Sequence, residues 1–177
     1  MDYSNNVEFA KKLIEKYPFL IPRNVFTDKI PENYDYTYVR GLGEIPSGWN
    51  VLFLQMCNDL REQLIIDNQL ESFRFTQIKE KYNRMVCYHN GCSEAAQRII
   101  DKYEHMAMYV CTVCGKPATV ETMGYIASYC DKCYEKYKTY KAEPITLETS
   151  YKIMRFSHGE KTEEIISFED EWNRYNN

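Results

Sequence analysis

Apolar residues recur at helical spacing in three places along the chain, and each recurrence predicts a helix. Phe9, Ala10, Leu13, Ile14 and Tyr17 follow an Asn5/Glu8 capping pair and stop at Pro18, which predicts a short first helix. Trp49, Leu52, Phe53, Met56, Leu60 and Leu64 form one apolar stripe behind Ser47, a candidate N-cap, and predict a long core helix. Ala96, Ile99, Ile100, Tyr103 and Ala107 follow Ser93 in the same way. Between the first two helices, residues 18–48 carry four prolines and three glycines and read as loop. Within it, the alternation of Tyr34, Tyr36 and Tyr38 with Asp35 and Thr37 predicts an edge or hairpin strand.

Strand-like text occupies the rest. Phe73–Ile78 and Met85–His89 flank the polar run 79–84 and predict an antiparallel hairpin with a charged turn. Thr119–Thr122 and Tyr125–Tyr129 around Met123-Gly124 predict a second, shorter hairpin. Tyr134, Tyr137 and Tyr140, interleaved with Lys136, Lys138 and Lys141, predict a helix that ends before Pro144. The last stretch offers a strand at Tyr151–Phe156, a His158-Gly159 turn, and an acidic segment of helix or strand ending near Trp172.

Cysteine spacing adds chemistry to this pattern. Seven cysteines are an odd number and suit a reducing compartment better than a closed disulfide framework. Four of them, Cys111-x2-Cys114 and Cys130-x2-Cys133, are separated by fifteen residues, which is the spacing of a four-thiolate zinc site. Two residues between ligands let one tight turn aim both sulfurs at a tetrahedral ion, and Gly115 eases the turn. Because four thiolates close the coordination shell, the expected role of the Zn2+ is structural. The predicted fold class is therefore α+β: a small helix and antiparallel-hairpin core with an inserted treble-clef or zinc-ribbon-like four-cysteine module. The expected organisation is an N-terminal helix and Pro/Gly-rich loop over 1–46, a helix-hairpin-helix core over 47–110, the zinc module over 111–143, and a strand plus acidic segment over 144–177.

Other constellations are weaker. Cys87, His89 and Cys92 fall within six residues but lack a fourth ligand, and Cys57 reads as a packed thiol on the second helix. None of the three histidines lies between Met106 and Ser157, so a His-Asn-His nuclease finger has no base. No nucleophile triad, phosphate loop or glycine-rich nucleotide fingerprint is present, and Glu163-Glu164 and Asp170-Glu171 read as a solvated charged face.

Composition decides among partners. The 177 residues carry a formal charge of −4 and a pI near 5.5, where a dedicated nucleic-acid binder is more often basic. Lys132, Lys136, Tyr137, Lys138 and Lys141 are the candidate nucleic-acid contacts, lysines for phosphates and tyrosine for bases. From Cys111 to Lys141, however, five lysines oppose three acids, and a four-thiolate zinc contributes −2, so the module is near neutral. The longest apolar runs, such as Val51–Leu54, are too short for a membrane span, and Met1–Asn6 lacks the features of a signal peptide, so the expected compartment is the cytoplasm.

Gly48-Trp49, the helix holding Cys57-Asn58-Asp59-Leu60, and Phe75-x-Gln77-Ile78-Lys79-Glu80-Lys81-Tyr82 resemble a group of small uncharacterised bacterial and prophage-borne proteins. In that group a Gly-Trp helix, a Gln-Val-Lys-Glu-Lys-Phe-Gly hairpin, a further helix and a cysteine pair follow in this order. The likeness covers residues 47–135, and Asn83 and Arg84 stand where the group has a Gly-Gly turn. The resemblance implies an order of elements and a mobile-element setting, and no catalytic residue. Sixteen tyrosines, an acidic tail and no catalytic constellation together point to a non-enzymatic protein-interaction module, on the resemblance a phage or mobile-element inhibitor of a host or defence protein. The alternative is a nucleic-acid-binding zinc-finger regulator. A protein partner is expected, and neither a membrane nor a small-molecule substrate.

Overall fold

The computed structural model describes residues 7–24, 26–137, 140–157 and 160–177. The fold is α+β, with five α-helices and three small antiparallel sheets among those residues. Helix α1 (Val7–Lys16) ends one residue before Tyr17, and a 3₁₀ turn follows at Pro18–Leu20. The capping residue Asn5 lies outside the described residues. Tyr17 donates its hydroxyl to Asn58 Oδ1 at 2.6 Å and Arg61 Nε donates to the Lys16 carbonyl at 3.0 Å, so α1 docks on α2 (Asn50–Ile66).

Trp49, Leu52, Phe53, Met56, Leu60 and Leu64 are all fully buried, which is the stripe expected of α2. Ser47 does not cap that helix: it lies within a 3₁₀ turn, Ser47–Trp49, and no side chain caps the start. Ser93 does cap α3 (Glu94–Met106), its Oγ accepting from Ala96 N at 3.1 Å. Helices α2 and α3 pack on each other, α3 packs on β2 (Arg84–His89), and Phe53 of α2 meets Phe75 of β1 (Phe75–Lys81) with ring centroids 6.4 Å apart. The core joins Ala10, Leu13, Tyr17, Phe19 and Leu20 at one end of the chain to Phe168 and Trp172 at the other.

Two loop expectations are corrected. Residues 34–39 form no strand, because Tyr36 takes a φ of +63° and Asp35 Oδ1 accepts from both the amide (3.1 Å) and hydroxyl (2.7 Å) of Thr37. The side chain thus closes a turn across the alternation. The charged turn at 79–84 is also far shorter than expected: pairing runs to Lys81↔Arg84, leaving only Tyr82 (φ +52°) and Asn83 (φ +60°) to reverse the chain. Two consecutive left-handed residues mark a two-residue type I′ hairpin turn.

After α3, a short 3₁₀ turn at Ala107–Tyr109 leads into the sheet β4-β3-β5, made of β3 (Val120–Thr122), β4 (Ser128–Tyr129) and β5 (Ala142–Pro144). Helix α4 (Asp131–Tyr137) follows β4. Lys141 stands outside α4, on the approach to β5, where its carbonyl accepts from Met123 N at 2.7 Å and thereby extends the sheet. That sheet contact fixes Lys141 in extended chain where tyrosine spacing had predicted helix. A hairpin of β6 (Ser150–Ser157) and β7 (Glu160–Ser167) and helix α5 (Glu169–Asn176) complete the chain. The predicted His158-Gly159 turn lies outside the described residues. The acidic segment is less solvated than expected: Glu164 pairs with Arg98 at 3.0 Å and Glu171 with Lys102 at 2.7 Å, fastening it to α3.

Candidate metal centre

The four sulfurs of Cys111, Cys114, Cys130 and Cys133 lie within 4.8 Å of one another, brought together from two chain segments. The first pair sits on a tight loop. Cys111 N donates to Lys116 O at 2.8 Å and Gly115 N to Cys111 O at 3.0 Å, and Gly115 holds a φ of +77°. The second pair straddles a helix start: Cys130 precedes α4 and Cys133 lies in its first turn, with Tyr134 N donating to Cys130 O at 2.9 Å. The hairpin of β3 and β4 separates the two pairs. Knuckle, hairpin, then a knuckle opening a helix is the treble-clef-like order; a zinc ribbon would place strands where α4 stands.

Cys111, Cys130 and Cys133 are buried and Cys114 is exposed. All four are thiols, and the 3.6 Å from Cys114 Sγ to Cys130 Sγ is far beyond the roughly 2.05 Å of a disulfide. Burial opposes ionisation of Cys111, but backbone N–H groups of Cys130, Cys114 and Val113 aim at its sulfur and outweigh burial, holding its pKa below the ordinary thiol value. Burial, reinforced by the neighbouring sulfurs, pushes Cys114 and Cys133 up. Four sulfurs this close repel as thiolates unless a cation sits among them, and a dication both relieves the repulsion and deprotonates the set. The group contains no imidazole and no carboxylate. A shell of four sulfurs leaves no ligand position for water, which suits scaffolding and not hydrolysis.

The module is held to the core by a seam that the sequence did not announce. Gly48 N donates to Thr112 O at 3.0 Å, and a Cβ on Gly48 would lie 2.1 Å from Cys111 O, so only glycine fits. The Gly48-Trp49 pair thus has a packing reason: Gly48 presses on the first knuckle while Trp49 Nε1 donates to Val110 O at 3.1 Å. Tyr175 from α5 donates to Gly115 O at 2.5 Å. At the other side, Asn83, 1% exposed, reaches from the β1–β2 turn: its Nδ2 donates to Glu121 Oε1 at 2.8 Å and Ser128 Oγ at 2.5 Å, and its Oδ1 accepts from Ser128 N at 3.0 Å. The one sequence signal for this role was an asparagine at a turn where glycine is commoner.

The remaining candidates fall elsewhere. Lys132, Lys136 and Tyr137 lie on the exposed side of α4, where Lys136 Nζ sits 4.9 Å from the Tyr137 ring centroid. Lys141 pairs with Glu143 at 3.6 Å, and Lys138 lies outside the described residues. Cys87 is buried, and His89 is engaged at both ring nitrogens, with Nε2 at 2.9 Å from Gln97 Oε1 and Nδ1 accepting from Gly91 N at 3.1 Å, so Cys87, His89 and Cys92 do not assemble into a second site. Among the described residues the four cysteines are the single group of three or more His, Cys, Asp or Glu side chains gathered closely enough for a metal, and no helix is long and apolar enough to cross a membrane. Comparison with protein-family models, curated proteins and solved structures gave no significant match.

Proposed function

We propose that Cys111, Cys114, Cys130 and Cys133 hold one Zn2+ as a structural staple, and that the protein acts as a non-enzymatic protein-interaction module. The observation that carries the metal assignment is the all-sulfur cluster within 4.8 Å, a donor set that selects zinc over harder cations and leaves no open position. The interaction reading is supported by aromatic side chains left on the surface of a well-packed core: Tyr82 is 71% and Tyr125 61% exposed, and Phe26 is 93% exposed. The nucleic-acid reading of α4 has less behind it, since Lys136 is folded over Tyr137 and Lys141 is paired with Glu143. An inhibitory role in a mobile element rests on the resemblance over residues 47–135 and draws no support from the geometry.

Metal analysis of the purified protein should find one zinc per chain, with X-ray absorption reporting four sulfur ligands at about 2.3 Å. Absence of stoichiometric metal, or a nitrogen or oxygen in the inner sphere, overturns the staple. Copurification from the native host should recover a protein in near-stoichiometric amount; recovery of nucleic acid alone would move the function to the alternative.

A further inference from the structure

The register of the β1–β2 hairpin separates its side chains cleanly. Gln77↔Tyr88, Lys79↔Val86 and Lys81↔Arg84 share the outer face, while Ile78↔Cys87 and Glu80↔Met85 share the inner one. The outer face therefore carries three cations and no acid. Glu80, the one carboxylate on these strands, is turned inward and its Oε1 accepts from Asn83 N at 2.7 Å. Among the described residues none of the three cations has a carboxylate partner; Lys79 Nζ donates to Gln77 Oε1 at 3.1 Å, and the side chains of Lys81 and Arg84 make no hydrogen bond. On a protein of net charge −4, elsewhere laced with ion pairs, a +3 face whose cations have no carboxylate among the described residues within 4.0 Å is an exception; Arg84 interacts with the Glu104 carboxyl at longer range.

Beside that face lies a cleft of mixed lining, in which Met85, Val86, Met108, Ile153 and Met154 stand among Arg84, His105 and Lys152. Arg84 and Val86 form one wall of this cleft of about 540 Å³, whose other walls include Met108 after α3 and Ile153 and Met154 on β6. The two acids that also line it are engaged within the fold, Asp101 by Gln97 Nε2 at 2.7 Å and Glu104 by the Cys87 amide at 2.5 Å. Cations on one side and methionine side chains on the other fit a chain segment that mixes carboxylates with an apolar residue. The tyrosines distinguish an acidic peptide from a nucleic acid. Lys79 Nζ stands 4.9 Å from the Tyr88 ring centroid and Lys81 Nζ 5.7 Å from that of Tyr82, so each ring supports an ammonium group and does not offer a bare face for a base. The overall negative charge also repels a long polyanion while leaving a short acidic segment free to dock.

We infer that the outer face of the β1–β2 hairpin, Lys79, Lys81 and Arg84 with the adjoining methionine-lined cleft, is the docking surface for an acidic, partly apolar segment of a partner protein. This rests on the interaction-module reading and names where on the molecule that interaction takes place.

The test is selection of displayed random peptides on the full, zinc-loaded chain, with the triple variant K79E/K81E/R84E and the α4 variant K132E/K136E as comparators. Selected peptides should be enriched in Asp and Glu around an apolar residue, should shift the amide resonances of residues 77–88 and 151–154, and should lose at least about tenfold in affinity on K79E/K81E/R84E and little on K132E/K136E. Their affinity should fall between low and physiological salt as expected for contacts within one screening length, about 8–10 Å. Unchanged zinc content and melting temperature in K79E/K81E/R84E separate loss of binding from loss of fold. Peptides without acidic enrichment, or shifts confined to α4, overturn the face and leave the interaction reading standing; no enrichment on any surface overturns both. Tighter binding of a thymidine oligonucleotide than of any selected peptide, or self-association abolished in K79E/K81E/R84E, overturns the assigned partner in favour of nucleic acid or of the chain's own acidic segment.

Discussion

The helical core and the cysteine module hold themselves together by different means. The core buries an aromatic and aliphatic cluster that runs from Ala10 to Trp172 through α2, α3 and the β1–β2 hairpin. In the module, the buried cluster is Cys111, Cys130 and Cys133 with Tyr129 packed against them. Its strands are two or three residues long and α4 has seven residues, so neither pairing nor helix formation sustains it alone. The core is stable because water is excluded from apolar surface; on the staple proposed above, the module is stable because four ligands that are scattered in the unfolded chain converge on one ion. The two kinds of stability answer to different reagents.

Chelation should expose the difference most. Binding energies of about 10–16 kcal/mol hold small zinc modules, and removing the ion, or substituting Cys111→Ser, should collapse the amide spectrum of residues 111–144 while α2 and α3 keep their far-ultraviolet signal. A single cooperative loss of both regions on chelation would erase the distinction. The converse experiment is Phe53→Ala, which opens a cavity beside Phe75 and should cost about 3–5 kcal/mol in denaturant unfolding while zinc stoichiometry stays at one. Zinc lost from the folded Phe53→Ala protein would show the module to depend on the core.

The seam sharpens the comparison. Among the described residues, the Asn83 side chain hydrogen-bonds from the hairpin turn to both β3 and β4, and Asn83→Gly keeps the left-handed backbone while deleting those hydrogen bonds. With Ser128 left buried, a cost of about 1–3 kcal/mol is expected, read as faster zinc release to a chromogenic chelator with α2 unaffected. Unaltered release kinetics would place the coupling at Gly48 and Tyr175 instead.

A smaller effect belongs to the core side alone. Burial raises Glu104 to about 7, partly offset by the Cys87 amide at 2.5 Å, and burial lowers His105 to about 4. A carboxyl group raised in the folded state retains its proton between pH 4.5 and 7 while the unfolded chain has released it, so stability from Glu104 declines as pH rises through that window. His105 acts oppositely, its buried neutral ring losing stability as pH falls from 6.5 towards 4. Asp101 and Arg84, which flank Glu104, act on it in opposite directions. Glu104→Gln should remove the declining part and leave stability rising with pH between 4.5 and 6.5, by roughly 1–2 kcal/mol in melts at fixed ionic strength. An identical pH profile in the parent and Glu104→Gln proteins would refute the assignment.

The features legible in the sequence are those set by local pattern. The apolar stripe of α2, the Ser93 cap of α3 and the two cysteine pairs each depend on residues a few positions apart, and each stands where its spacing placed it. Tyr34–Tyr38 failed because alternation says nothing about backbone handedness, and the Asp35 side chain outcompeted strand pairing. The polar run 79–84 hid its turn because Lys79 and Glu80 are strand residues that happen to be charged. The seam was invisible for another reason: Gly48 meets Thr112, Asn83 meets Ser128 and Gly115 meets Tyr175 across 45 to 64 positions, and no periodicity encodes such pairs.

Gly48 offers a reporter that needs no substitution. Its amide proton is held by the Thr112 carbonyl, one residue beyond the first cysteine, while its neighbour Trp49 is sealed inside the core. Deuterium should therefore reach Gly48 whenever the knuckle swings away, at a rate that follows free zinc concentration, whereas the Leu52 and Phe53 amides wait for the whole molecule to open. One peptide spanning residues 42–56, with Gly48 well inside it, would carry both clocks in a single mass spectrum.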